Sequence, residues 1–355
     1  MNNFYGGYDR VFFETPDERI AKQKRQRRLF SRTFLSLFIY VIISQFAGFA
    51  VYASARVILP PDKYLAFTES AVWSLLISSL VQYLIAFPVL LLTLIGTDRA
   101  VKKEKTKLSF DDFVLFLFIG EALMFAGNLI GTSLNGMVEN LTGKLPENGI
   151  ANIISETPSW LILVLAVIIG PIVEELIFRK IMIDRLSIYG DRAAITFSAV
   201  AFGLMHGNLY QFFYAALLGA LLGYVYTLTH NVRYTVYMHM IINFLGSVVA
   251  LPVEKAMERL TELMESAANG QEVNITELFS SATITAAYSA IQYGMIAGGI
   301  IAFIYFVKKG RLKINNEKEI FLPDKEIYKS GIVNVGAILF ISVSVITMLL
   351  NLIFV

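Results

Sequence analysis

"GPIVEELIFR", residues 170–179, puts two adjacent glutamates and an arginine at the end of an apolar run. The fifteen residues before Glu174 carry no charge. Ionisable groups at membrane depth are costly and therefore usually functional. The first question is whether this run lies in a membrane at all. Of the 355 residues, 56% are hydrophobic and only 16% are charged. Soluble domains carry roughly 25% charged residues. Several apolar stretches reach the roughly 20 residues a helix needs to cross a bilayer. Alternating strands of about 10 residues, the mark of a membrane barrel, are absent. The fold class is therefore all-α: a polytopic membrane helical bundle.

The hydropathy pattern predicts about nine transmembrane helices, near 34–54, 71–95, 110–138, 160–186, 193–208, 210–229, 232–250, 284–307 and 331–355. The number falls to eight if one of them is interfacial. The fifth is the shortest and is parted from the sixth only by Gly207, Asn208 and Leu209. With the N-terminus in the cytoplasm and nine alternating spans, the segments 1–33, 96–109, 179–192, 230–234 and 308–329 are cytoplasmic. They hold 25 of the 30 Lys and Arg residues, the bias that the positive-inside rule predicts. Lys22, Lys24, Arg25, Arg27, Arg28 and Arg32 precede the first span and anchor that orientation.

The chain divides into a basic N-terminal segment (1–33), three N-terminal spans (34–158), core helices (159–250), an outer amphipathic segment (251–283) and C-terminal spans (284–355). In the outer segment Val253, Met257, Leu260 and Met264 recur at helical spacing between four glutamates. That pattern is an acidic amphipathic helix, either lying on the membrane or packed on the bundle.

Composition also excludes chemistry. There is no cysteine, so disulfides, thiolate metal sites and cysteine nucleophiles are ruled out. A net charge of +2 gives a nucleic-acid partner no electrostatic support.

Three stretches carry the remaining chemistry. On a helix Glu175 and Arg179 are i, i+4 neighbours that can pair. Glu174 points about 100° away and lacks that partner, which makes it a candidate general base. Gly170 and Pro171 just upstream predict a kink or opening, because proline cannot donate to the carbonyl of Val167. A helix end facing the interface explains the same charges about equally well. In "FSAVAFGLMHGN" (197–208), Phe202 lies one turn before His206 on the same face. In "VYMHMIINFLG" (236–246), His239 and Asn243 project together. Two such donors can hold an oxyanion, or can simply hydrogen-bond between packed helices. Only three histidines exist in the chain, and two fall in these stretches; the third, His230, reads as interfacial. Together the stretches supply a carboxylate, an imidazole and a pair of donors, the inventory for activating water and holding a tetrahedral intermediate.

The ordered set Glu-Glu-x-x-x-Arg, Phe-x-x-x-His and His-x-x-x-Asn resembles the CPBP family of intramembrane glutamic endopeptidases, the CAAX-prenyl and bacteriocin-processing relatives also called Abi proteins. Glu174, Glu175 and Arg179 match the first motif, Phe202 and His206 the second, His239 and Asn243 the third. The resemblance covers about 160–250. It implies a helical bundle around a water-filled chamber. In it Glu174 and His206 activate water, and His239 and Asn243 form the oxyanion hole. Glu175, Arg179 and Phe202 support them. It implies no cofactor and no metal. The partners would be the lipid bilayer and a membrane-associated peptide or protein substrate. The expected location is the cell membrane of a prokaryote. A zinc-dependent protease using Glu174, His206 and His239 is an alternative, disfavoured because no His-Glu-x-x-His helix is present. A non-catalytic scaffold binding another membrane protein is a second. A transporter, to which Glu121 in the third span would belong, is the least supported.

One tension follows from the helical rise. His206 would lie about 20 Å into the fifth span and His239 only about 10 Å into the seventh, yet both must meet Glu174 at one depth.

Overall fold

The computed structural model describes residues 15–144, 149–314 and 316–353. The basic segment before Thr15 and the last two residues of the C-terminal span lie outside them. The described residues form helices: α1 (Pro16–Ile58), α2 (Pro61–Thr68), α3 (Ala71–Thr93), α4 (Phe110–Thr142), α5 (Gly149–Glu156) and α6 (Ser159–Tyr189). There follow α7 (Asp191–Met205), α8 (Leu209–Thr229), α9 (Val232–Ala268), α10 (Ile275–Lys308), α11 (Asp324–Ile332) and α12 (Val335–Ile353).

Their boundaries follow local chemistry. Thr15 accepts from Glu18 N–H while the Glu18 carboxylate accepts from Thr15 N–H, and Pro16 sits in the first turn. That is a capping box, which satisfies two otherwise orphaned donors. Ser109, Asn208 and Asn274 cap α4, α8 and α10 in the simpler way. Three helices open into π turns shortly before a proline. Val81–Ala86 precedes Pro88, Leu163–Ile169 precedes Pro171, and Leu245–Val249 precedes Pro252. Proline cannot donate to the carbonyl four residues back, and its ring crowds that carbonyl. The preceding turn widens in response. The expected opening at Gly170–Pro171 therefore takes the form of a π turn.

Among the described residues, eight helices are long and apolar enough to cross a membrane: α1, α3, α4, α6, α8, α9, α10 and α12. The ninth expected span, 193–208, is α7, a helix of 15 residues and so only about 22 Å long. It is not interfacial either, because eleven of its residues are buried. Hydropathy cannot separate a short buried helix from a crossing one, since both are apolar. Gly190, at φ 108°, turns the chain sharply from α6 into α7. Gly207, at φ 64°, turns it from α7 into α8. Both conformations favour glycine. The α7–α8 hairpin thus starts and ends on the same side, so the charge scheme keeps its alternation although α7 falls short of a full span.

The basic segments do gather at one end of the bundle. Arg25 pairs with Asp98, Lys103 with Asp191, Arg311 with Asp112, and Arg19 with Glu326. Ala100 N–H donates to Asp184 O, and Thr106 N–H to Thr229 O.

Two apolar clusters surround the core helices. One joins α1, α3 and α12 to α6 and α7 through Phe30, Phe34, Leu90, Phe178, Phe197 and Phe340. The other joins α4, α9 and α10 to α8 through Phe116, Leu222, Ile242 and Phe306. Glycines let backbones approach, as is common between membrane helices. A Cβ at Gly127 of α4 would lie 2.4 Å from Tyr214 Cα of α8. One at Gly131 would lie 2.9 Å from Tyr210 O. Large apolar side chains such as Phe49, Leu84, Leu92 and Ile301 stay exposed around the perimeter, as expected where the solvent is lipid. In the segment 251–283, no free surface helix forms. Its acidic part continues α9 and packs antiparallel on α10, with Arg259 reaching Glu262 and Glu277.

Candidate functional site

Glu174 lies fifteen residues before the end of α6, and His206 lies fifteen residues after the start of α7. The two helices are antiparallel about Gly190. Equal counts at 1.5 Å per residue place both side chains at one depth, about 22 Å from that turn. His239 joins them because α9 starts at a deeper level than α7. Just before α9, the Tyr226 hydroxyl donates to Asp184 at 2.5 Å. The turn into α9 is thereby held beside the last turns of α6, five residues before its end, and seven more residues bring His239 up to the glutamates. The tension in depth came from treating all span starts as level.

The structure brings all seven motif residues together. Glu175 and Arg179 form an ion pair, Nε to Oε2 2.9 Å, with neither side chain exposed. Arg179 also donates through Nη1 to Ser198 Oγ at 3.4 Å, and Ser198 Oγ donates to Phe178 O at 2.9 Å. The Phe202 ring lies under the Arg179 guanidinium, 4.9 Å from its carbon. The same ring meets His206 edge-on at 4.9 Å and His239 edge-on at 5.7 Å. Phe202 is therefore the apolar post against which the arginine and both imidazoles are set.

Hydrogen-bond partners fix the histidine tautomers. His206 Nδ1 is 2.8 Å from Phe202 O. A carbonyl can only accept, so Nδ1 carries the proton and the neutral ring keeps a lone pair on Nε2. His239 Nδ1 is 3.1 Å from Glu175 Oε1, and its Nε2 faces Glu174 Oε2 at 3.7 Å. The buried glutamate thus faces His239 on one oxygen and the Arg179 cation on the other. Glu174, by contrast, keeps 34% of its side chain exposed.

Asn243 Nδ2 donates to Ala166 O at 3.0 Å. That carbonyl belongs to the π turn at Leu163–Ile169. In the same turn, Leu165 O accepts from the Tyr83 hydroxyl at 3.3 Å as well as from Gly170 N–H. The turn opened by Pro171 thus exposes backbone acceptors, and side chains of α3 and α9 occupy them. The remaining amide hydrogen of Asn243 is not taken by that bond.

Sequence reading missed several members of the site. Ser198 lies four and eight residues before Phe202 and His206, on their face of α7, and that spacing was a usable signal. Tyr40, Tyr83 and Tyr214 come from α1, α3 and α8 to within electrostatic reach of Glu174. No sequence spacing connects them to it. Glu121 lies on α4 outside the cluster, and its Oε1 is buried without a hydrogen-bond partner among the described residues. His230 lies at the basic end, in the left-handed conformation that ends α8. Burial there, reinforced by Lys103, lowers its pKa from the ordinary histidine value. Among the described residues, no group of three or more His, Asp or Glu is arranged to hold a metal ion.

Fold and cluster define the class: a polytopic helical membrane protein with a partly open cluster of ionisable side chains inside its bundle. Comparison with known proteins narrows it. Residues 156–245 match the family model described as type II CAAX prenyl endopeptidase, Rce1-like. A Bacillus subtilis (strain 168) protein named "Putative membrane peptidase YdiL" is 25% identical over 194 residues, covering 53% of this chain and 77% of that protein. No solved structure matches. The matched segment carries all three motifs and is similar to the type II CAAX prenyl endopeptidases, in agreement with the motif resemblance. The function class that fold and comparisons support is a membrane protease.

Proposed function

We propose that this chain is a glutamic intramembrane endopeptidase in which Glu174 and His206 activate water and His239 and Asn243 hold the oxyanion. The observation that carries this reading is the asymmetry of the glutamate pair. Glu175 is buried and engaged by Arg179 and His239, while Glu174, one residue away, stays partly open, faces the His239 imidazole and lies within electrostatic reach of His206.

The geometry supports a role for each group. A water hydrogen-bonded to the Glu174 carboxylate can release its proton to Glu174, with the His206 Nε2 lone pair as second acceptor. The hydroxide attacks the peptide carbonyl carbon, and the carbonyl oxygen becomes an oxyanion. Asn243 has one amide hydrogen tied to Ala166 O and the other left for that oxygen. His239 donates from Nε2 only when both its nitrogens are protonated, because Nδ1–H already serves Glu175. In that form, the Glu175 carboxylate against Nδ1 stabilises the imidazolium charge. Proton return from Glu174 to the departing amine completes hydrolysis. Donors anchored in this way are preorganised for the transition state.

The substrate is a peptide bond of a membrane-associated protein or peptide. A comparison of peptide termini in membranes carrying the wild type and Glu174→Ala tests the reading. Termini present only with the wild type are expected. Identical termini in both would remove the assignment.

A further inference from the structure

The basic cluster in the N-terminal part of α1 is more than an orientation signal. Orientation requires the number of cations but not their register. Lys24, Arg28 and Arg32 recur every four residues, so they share one face of α1. They line a groove of 480 Å³ together with Arg25, Leu29 and the turn Gly96–Asp98 that follows α3. Four cations in this groove face a single carboxylate, and that carboxylate is already engaged: Arg25 Nε pairs with Asp98 at 2.8 Å. Arg32 Nη2 donates to Thr93 O at 2.9 Å and Ile95 O at 3.1 Å, which ties α1 to the end of α3 and sets the width of the groove. Lys24 and Arg28 point to the exposed surface. In the chain just before the groove's Gly96, at the end of α3, Leu91, Leu92 and Ile95 are exposed.

We infer that this groove binds the phosphate of an anionic phospholipid, with the acyl chains along the exposed apolar end of α3. Guanidinium groups match phosphate oxygens geometrically. A basic pocket between membrane helices at the cytoplasmic side is a suitable place for an acidic headgroup. The exposed apolar end of α3 adjoining the cations favours a lipid over free phosphate, which needs no apolar neighbour. A bound lipid would bridge α1 and α3, the two helices that carry Tyr40 and Tyr83 toward Glu174.

The test uses the full-length protein in detergent, titrated with phosphatidylglycerol and read as bound lipid per protein by native mass spectrometry. Phosphatidylglycerol should bind and phosphatidylcholine should not. Each cation removed is worth about fivefold near an anionic surface. Lys24→Gln with Arg28→Gln should thus weaken binding about thirtyfold, and Arg28→Lys alone far less. Lys102→Gln with Lys105→Gln, on the neighbouring loop, should leave binding unchanged. Equal binding of both lipids, or equal loss in the loop variant, would overturn the inference. Displacement of the lipid by millimolar inorganic phosphate would overturn the lipid assignment in favour of free phosphate.

Discussion

Replacing Arg179 by Met should destabilise the protein severely, and the structure sets the scale. The Arg179 and Glu175 side chains are both fully buried, with 2.9 Å between Nε and Oε2. Removing one partner of such a pair leaves an uncompensated buried charge and costs about 3–5 kcal/mol. Loss of the guanidinium over Phe202, 4.9 Å away, forms part of that cost, about 1–2 kcal/mol for a desolvated cation over a ring. His239 offers Glu175 one remaining donor, which tempers the loss. The double variant Glu175→Gln with Arg179→Met removes both charges together and should recover about 2 kcal/mol or more relative to the sum of the singles. The assay is a double-mutant cycle on equilibrium unfolding in mild detergent, followed by far-ultraviolet circular dichroism. A single-variant cost below about 1 kcal/mol, or a cycle with no coupling, would show that the pair is solvated and that Glu175 is as available to water as Glu174.

Other positions give independent checks. Gly127→Ala would push a methyl against the Tyr214 backbone and should cost about 1–3 kcal/mol by overpacking. Gly136→Ala on the same helix meets nothing within 4 Å and should be neutral or stabilising in thermal unfolding. His230 ends α8 at φ 49°, so His230→Gly should be more stable than His230→Ala by about 1 kcal/mol. Hydrogen bonds from Gln23 and Arg19 hold the Glu326 carboxyl below its ordinary pKa. Its contribution is therefore complete above the unfolded value of about 4.3 and is lost as pH falls through the lower folded value. The melting temperatures of the wild type and Glu326→Gln should converge on acidification; a gap that widens would contradict the assigned direction.

Most of the membrane framework could be read from residues, because bilayer crossing is written in length and hydropathy. The motif residues could be gathered for a similar reason. Glu175 with Arg179, and His239 with Asn243, share helical faces that spacing alone reveals. What could not be read was set by contacts between helices. The helix Asp191–Met205 is apolar because it is buried in protein, and hydropathy does not distinguish that from lipid. The common depth of Glu174, His206 and His239 depends on the Gly190 turn and on Tyr226 holding Asp184. The anchoring of Asn243 on Ala166 O depends on a carbonyl that the π turn before Pro171 exposes. The proline announced an opening there but not what would fill it. Tyr40, Tyr83 and Tyr214 sit on three helices with no shared spacing, and only packing brings them to Glu174.

The central claim is the division between two adjacent carboxylates, and the rate of peptide cleavage by purified protein in lipid vesicles tests it most directly. Glu174→Gln should cut kcat by about 10²–10⁴-fold, the usual share of a general base, with an unchanged melting temperature. Glu175→Gln should lower the melting temperature. A Glu174→Gln protein that cleaves at close to the wild-type rate would contradict the account.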